Sequence, residues 1–340
     1  MKASLLFITY NHSRFVAEAI RSAMAQDYSE FELVICDDRS TDGTLTILEA
    51  QLVDCLPHIK LVRAHSETAN VGLLANFNRG MAACSGDIIV VMSGDDVSLP
   101  HRVSRIVEEF SSNPRCMLVY SNFERINDGG LLLDGSCKHL ENKTFSYGLR
   151  PSCVYAGGKG AGSTAAYRAN VFKTFGPLNE SKQPEDRPCW VRALLLGEIR
   201  YLAEPLVRWR THSSNLSNYK GGADSPAARS RILRDLLFRQ NYGRQFKKDI
   251  LHATREQLVS KKLADRLLSI IQIDRERERL RRFSLADSPW KLWQSSAYRL
   301  MKAPPFLGHF LRIIRGDFPI WVLSKKRDRH WMRKIRKGRD

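Results

Sequence analysis

The chain has 340 residues, of which 43% are hydrophobic and 26% charged, and it carries a formal net charge of +18. That is the make-up of a soluble globular protein with one large domain and an appendage, or two medium domains, and not of a disordered chain. No run of eighteen apolar residues occurs, which excludes a conventional membrane-crossing helix. Seven irregularly spaced cysteines argue against a disulfide scaffold or a zinc module and point to a reducing cytoplasm.

The apolar start, Leu5 to Ile8, is too short for a signal-peptide core and runs into Asn11-His12-Ser13-Arg14 without a cleavage site. Ser4 to Thr9 instead reads as a strand. Phe15, Val16, Ala19, Ile20, Ala23 and Met24 then recur at helical spacing. Phe31 to Cys36 is a second strand, followed by a polar cluster and a helix from about Thr44 to Cys55. Ile59 to Arg63 is a short strand, and Leu73, Leu74, Phe77 and Met81 mark the next helix. Asp87 to Met92 is a continuous apolar run, as expected for a strand buried on both faces. Pro100 opens a helix striped by Val103, Ile106, Val107 and Phe110, and Cys116 to Tyr120 is the next strand. This alternation predicts an α/β fold with a mostly parallel sheet flanked by helices.

From about Gly129 to Gly162 the pattern becomes glycine-rich and irregular; regular structure returns at Ala165 to Lys173 and in a helix from about Pro188 to Gly197. A linker is expected at Asn218 to Pro226, with a basic, helical stretch to about Arg282 behind it. The charge is lopsided. From Lys220 onward there are 31 Lys and Arg against 12 Asp and Glu, while the preceding residues are close to neutral. Such asymmetry suits an anionic partner, although a solvated helical face is the plain alternative.

In a parallel sheet, ligands bind beyond the carboxyl ends of the strands. Three polar clusters fall there: Thr9-Tyr10-Asn11, Asp37-Asp38 and Ser93-Gly94-Asp95-Asp96. One acidic pair could be a helix cap, and Ser40, Thr41 and Asp42 suit that role. Two acidic pairs at neighbouring strand ends repel one another unless a cation or hydrogen-bond donors offset them. A hard divalent ion, Mg²⁺ or Mn²⁺, would do so and would also hold a diphosphate. Neither the glycine fingerprint of dinucleotide binding nor the P-loop is present, which argues against a nicotinamide oxidoreductase and a phosphate-cradling NTPase.

The stretch from Ser4 through Thr9-Tyr10-Asn11-His12, with Asp37-Asp38-Arg39-Ser40-Thr41-Asp42-Gly43-Thr44, resembles the start of the family 2 glycosyltransferases. Further matching segments follow in order: Asn70-Val71-Gly72, Asn78-Arg79-Gly80, Gly86-Asp87, Gly94-Asp95-Asp96, Pro100, Arg102, Gly176 to Glu180, Glu185-Asp186, Trp190, Arg192, Gly197, and Glu204 to His212. The resemblance covers about 1–218 and implies an inverting enzyme with a GT-A fold. Its nucleotide-binding half would be about 1–120 and its acceptor half about 121–218, ahead of a basic C-terminal region at 219–340.

By that resemblance Thr9, Tyr10, Asn11 and Asp38 belong to the donor-nucleotide pocket, with Asp37 beside them. Asp95 meets the metal and diphosphate, with Asp96 as its neighbour. Where the family often has an aspartate two positions before Asp95, this chain has Ser93. Asp186 matches the catalytic base, supported by Glu185, although without the resemblance this pair reads as a helix cap. His212 stands where a further metal or diphosphate contact is expected, against the plain alternative of a structural histidine. Arg208 and Arg210 could bind phosphate or be ordinary strand-end cations.

The expected partners are a nucleotide-sugar, a UDP-sugar first, and a glycan or lipid-linked acceptor in cell-surface polysaccharide or lipopolysaccharide assembly. The tail mixes Trp290, Trp293, Phe306, Phe310, Phe318, Trp321 and Trp331 with many basic residues, as suits an anionic membrane surface contacted through 285–340. That implies a peripheral protein on the inner face of the cell membrane. Packing of the tail as a small helical domain is the alternative. A nucleic-acid-binding protein using the tail, or a non-catalytic member of the fold, are the competing functions; no nucleic-acid module is present, and nothing in the sequence sets the oligomeric state.

Overall fold

The computed structural model describes residues 1–52, 59–63, 70–133, 141–146, 162–179, 184–213, 215 and 226–284. Most of the expected linker and the aromatic, basic tail at 285–340 lie outside the described residues. Two compact units divide the chain, Met1–Glu278 and Arg279–Asp340, and the second is described only at its first six residues, the end of a helix.

Strand β1 (Ala3–Thr9) is followed by α1 (Val16–Met24), β2 (Phe31–Asp37), α2 (Thr44–Leu52), β3 (Ile59–Arg63), α3 (Leu73–Ala83) and β4 (Ile88–Ser93). A two-residue β5 (Val97–Ser98), α4 (Arg102–Ser112), β6 (Cys116–Ile126) and β7 (Lys143–Phe145) come next. The rest comprises β8 (Ala165–Arg168), α5 (Asn170–Phe175), α6 (Asp186–Leu196), β9 (Glu198–Arg210), α7 (Pro226–Arg255) and α8 (Lys261–Ser284). Among the described residues these strands form one nine-stranded sheet in the order β3-β2-β1-β4-β8-β6-β9-β5, with β7 paired to β9.

The strands β1 to β4 pair in parallel, as the alternating pattern predicts. The second half is mixed: β8 runs antiparallel to both β4 and β6, and β9 runs parallel to β6. Both faces of β1, β2 and β4 are covered. Leu6, Val34, Ile89 and Val91 pack with Leu74, Phe77 and Met81 of α3, in one core with Trp190 and Leu194 of α6 and with Phe246 and Ile250 of α7. Leu5, Phe7, Leu33, Ile35 and Val90 pack on the other side with Val16 and Ile20 of α1 and Val103, Ile106 and Phe110 of α4. Alternate residues along each strand therefore serve opposite cores.

Gly80 sits where α3 crosses the sheet. A β-carbon there would collide with Leu6 and lie 2.8 Å from Cys36 Sγ, so only glycine allows this approach. Helix α7 is fastened to α6 by a buried ion pair, Arg192 Nε to Asp249 Oδ2 at 3.0 Å. At the amino ends of the strands, the buried Glu32 carboxylate accepts from the Ser4 hydroxyl at 2.7 Å and from the Ser85 hydroxyl at 2.9 Å, closing that edge of the sheet. The polar clusters emerge at the opposite edge.

Candidate active site

Strand β1 lies between β2 and β4, with Thr9 opposite Asp37 and Ile8 opposite Ser93. Strands two apart are separated by roughly 10 Å, so the acidic pairs at 37–38 and 95–96 flank the end of β1. Backbone bonds fix this convergence: the Asp38 N–H donates to the Thr9 carbonyl at 3.0 Å and the Gly94 N–H to the Ile8 carbonyl at 2.8 Å.

On the β2 side, Asp37 accepts the Ser40 N–H at 2.9 Å and the Ser40 hydroxyl at 2.5 Å. Asn11, at φ +55°, donates its N–H to Ser40 Oγ and accepts the Thr41 N–H, both at 2.8 Å. The capping expected from 40–42 is done by Asp42, which accepts the Thr44 N–H at 3.1 Å and the Ser13 N–H at 3.0 Å. Burial raises the Asp42 pKa, but bonds from Thr44 and Ser13 outweigh it and hold the carboxyl below the usual range. The buried Asp38 carboxylate accepts the N–H groups of Val71 at 2.9 Å and Gly72 at 2.8 Å, with Arg79 Nη2 at 3.4 Å. This accounts for the Asn70-Val71-Gly72 and Arg79 segments of the pattern. Tyr10 and Val71 are exposed at this mouth.

On the β4 side, Asp95 Oδ2 lies 3.0 Å from His212 Nε2 and 3.3 Å from Asn215 Nδ2, while Asp95 Oδ1 takes the Ser93 hydroxyl proton. Ser93 thus aims the carboxylate. Burial pushes the Asp95 pKa up, but the His212 bond, His12 and Ser93 prevail and hold it below the usual carboxylate range. Asp96 accepts the Arg210 N–H at 2.9 Å and bonds Ser163; burial first, then the Asp95 charge, raise its pKa well above the ordinary value. Arg210 is not a phosphate ligand. Its buried guanidinium binds the carbonyls of Asp95 at 2.9 Å and Asp128 at 3.0 Å and the Glu18 carboxylate at 2.5 Å. The more exposed Arg208 pairs with Glu124 at 3.0 Å.

Among the described residues, no three His, Cys, Asp or Glu side chains stand together as a complete metal site. The donor pair Asp95–His212 nevertheless fits one. Two adjacent ligands on an octahedral cation at about 2.1 Å stand about 3.0 Å apart, and Mg²⁺-type sites take one or two protein ligands plus substrate phosphates. The observed separation of the two atoms is 3.0 Å.

A third acidic pair, Glu185–Asp186, opens α6. Glu185 is the N-cap position, but its side chain makes no capping bond, and Asp186 Oδ1 accepts the adjacent Arg187 N–H at 2.7 Å. Glu185 therefore does not cap the helix, whereas Asp186 bonds one N–H of the first turn. Burial, and then the neighbouring Asp186 charge, push the Glu185 pKa up to about 7; burial also raises that of the half-buried Asp186. A β-carbon on Gly162 would collide with Glu185 Oε1. The next residue, Ser163, bonds Asp96, and its carbonyl accepts Arg102 Nη2 at 2.7 Å. The 3₁₀ turn Gly162–Thr164 thus links the two acidic pairs.

The profile of the family described as Glycosyl transferase family 2 matches residues 4–176, which hold β1–β4 and the acids at both sides of the mouth. The chain belongs to glycosyl transferase family 2. An uncharacterized glycosyltransferase of Nostoc sp. is 28% identical over 271 residues, covering 72% of this chain and 78% of that protein. The chondroitin synthase of Escherichia coli is 29% identical over 133 residues, covering 39% of this chain and 19% of the synthase. The fold resembles that of S. aureus TarS 1–349 crystallised with UDP-GlcNAc, at a TM-score of 0.62 and 21% identity, covering 90% of this chain and 82% of that one.

In this family 2 chain the structure gathers Thr9, Tyr10, Asn11, Asp37, Asp38, Asp95, Asp96 and His212 at the strand mouth, with Glu185 and Asp186 reached through the 162–164 turn. His212 is bonded to Asp95, which the sequence alone leaves open. Sequence reasoning missed Asn215 and His12 as members of the cluster. His12 stands within the matching stretch Thr9-Tyr10-Asn11-His12 but carries no role there, and Asn215 is signalled only by lying three residues after His212.

Proposed function

We propose that this family 2 protein is an inverting enzyme that moves a sugar from a nucleoside-diphosphate donor, a UDP-sugar, to a hydroxyl of a glycan or lipid-linked acceptor. The observation that carries this reading is the pairing of two unlike acidic centres across the Gly162–Thr164 turn. Asp95 is held anionic by donors, whereas Asp186 is drawn toward protonation by burial. An inverting transfer needs both kinds.

Asp186 accepts the acceptor hydroxyl's proton as that oxygen bonds to the anomeric carbon from the face opposite the diphosphate. The anomeric carbon–oxygen bond breaks, and its electron pair leaves with the diphosphate. Glu185 supports Asp186 as its neighbour, and burial raises the proton affinity of Asp186. A divalent cation, Mg²⁺ or Mn²⁺, would supply the charge that stabilises the departing diphosphate. Asp95 and His212 would hold it, with Asp96 as the adjoining acid tied to β9. Thr9, Tyr10, Asn11, Asp37 and Asp38 would frame the nucleoside. The TarS structure with UDP-GlcNAc bound supports the choice of donor class, and the similarity to chondroitin synthase supports a polysaccharide product.

Residues 1–218 would form the catalytic domain and 219–340 a basic region that meets an anionic membrane at its inner face. No helix of the described residues is long and apolar enough to cross a bilayer. Helix α7 turns Arg244, Lys247, Lys248 and Arg255 outward together with the half-exposed Leu251, a face suited to lipid headgroups.

The test is Asp186→Asn assayed for donor binding by thermal shift and for sugar transfer. Retained binding of a UDP-sugar with transfer lost supports the assignment; equal loss of both makes Asp186 structural and removes the base from the scheme.

A further inference from the structure

His12 is not accounted for by the roles above, yet it lies inside the cluster. Its ring is largely covered, with 19% of the side chain exposed, and Nδ1 is 3.1 Å from Thr9 Oγ1. A β-carbon on Gly94 would come within 2.8 Å of Nδ1, so the glycine at this position makes room for the ring. The other nitrogen, Nε2, points toward Asp95 Oδ2 from 3.9 Å, beyond hydrogen-bond reach. That oxygen already faces His212 Nε2 at 3.0 Å and Asn215 Nδ2 at 3.3 Å, and Oδ1 holds the Ser93 hydroxyl.

The Asp95 carboxylate thus already has three polar partners from its own chain. In the tautomer whose Nδ1 accepts from the Thr9 hydroxyl, Nε2 carries the proton and faces Asp95 Oδ2 from beyond bonding distance. An oxygen of water or ligand lying beside the two groups can bridge a separation that they do not close directly. Burial lowers the His12 pKa, against the pull of the Asp95 charge.

We propose that His12 is a diphosphate-contacting residue, its Nε2–H donating to an oxygen of the donor's leaving diphosphate on the Asp95 side of the strand mouth. This inference rests on the transferase reading, since it presumes a nucleoside diphosphate in the cleft. Held at Nδ1 by Thr9 and seated against Gly94, the ring is preorganised for an oxyanion that gains charge as the sugar departs.

Two substitutions separate the ring nitrogens. His12→Asn keeps a polar atom near the Nδ1 position, next to Thr9, and removes the Nε2 donor; His12→Gln restores a donor near the Nε2 position. Binding of UDP and of uridine to the full chain is measured by calorimetry in the presence of Mn²⁺, with melting temperature as the check on folding. We expect His12→Asn to weaken UDP about tenfold, close to 1.4 kcal/mol, with uridine unchanged and most of the loss recovered in His12→Gln. Wild-type affinity for UDP in His12→Asn, or parallel loss of UDP and uridine, overturns the proposal while leaving the transferase reading intact. A wild-type chain that binds none of UDP, GDP or ADP takes down both.

Discussion

His212 Nε2 and Asp95 Oδ2 meet at 3.0 Å across 117 residues of chain. The contact depends on β9, which pairs with β5 immediately after Asp95 and delivers its own end beside the β4 loop. Removing the imidazole leaves a buried carboxylate with fewer donors and takes away one of the two atoms suited to a cation. His212→Ala should weaken Mn²⁺ binding by about 10- to 100-fold, read by electron paramagnetic resonance of free Mn²⁺, and slow transfer at least as much. Unchanged Mn²⁺ binding would place the cation elsewhere.

The Glu185–Asp186 pair predicts a pH profile. Both carboxyls have raised pKa values, Glu185 to about 7 against an ordinary 4.5, because burial disfavours charge. The base works only when ionised. The transfer rate should therefore fall on the acid side of neutrality, with apparent values belonging to the pair rather than to one residue. Glu185→Gln removes one of the two charges and should shift that acid limb to lower pH. An acid limb in the same place in the variant contradicts the coupling.

The same pair also acts on stability. A carboxyl whose pKa is higher folded than unfolded binds more protons in the native state between those two values. Its stabilising contribution is full below about 4.5 and is lost as pH rises through about 7, the opposite of an ion-paired acid. Glu185→Gln should thus gain stability relative to wild type at pH 8 and little at pH 4.5. Melting temperatures of both proteins across that range decide it.

Arg192 and Asp249 are both almost wholly inaccessible, so one cannot be removed without stranding the other. Arg192→Leu should destabilise the protein by about 3–5 kcal/mol, measured by urea unfolding. The double substitution Arg192→Leu with Asp249→Leu should recover a large part of that loss. A small effect of the single change would mean that water reaches Asp249.

Gly94 offers a sharper probe of the cleft. A β-carbon there would stand 2.5 Å from Thr9 Oγ1 and 2.8 Å from His12 Nδ1. Gly94→Ala should cost about 1–3 kcal/mol of stability and should weaken nucleoside-diphosphate binding, because the strand mouth itself must shift. Wild-type affinity in this variant would show that the loop yields without disturbing the site.

Much of the first half was legible because its apolar runs have the right length and its helical stripes the right period. Ile88–Ser93 and the α4 stripe of Val103, Ile106 and Phe110 are examples. The second half was harder. Cys116–Ile126 outruns the expected strand because Ser121, Asn122 and Glu124 are polar, yet they continue the ladder with β9. No local pattern announces a strand as irregular as Glu198–Arg210, whose pairing with β6 shifts register more than once. The acidic pairs could be read as a site because paired charges at strand ends are conspicuous. The roles of Asn215 and Arg210 could not, since each depends on a partner supplied by a distant element. Arg210 in particular looks like a phosphate ligand in one dimension and proves to be a tie between α1, the β4 loop and the turn after β6.

The late position of β9 has a consequence during synthesis. The stretch matching the family ends at residue 176 and includes Asp38 and Asp95 but neither Asp186 nor His212. A nascent chain can begin to fold its early strands on the ribosome, but the cluster around Asp95 stays unfinished until β9 and the residues just after it have emerged. Products terminated before β9 would therefore lack both His212 and Asn215 beside Asp95.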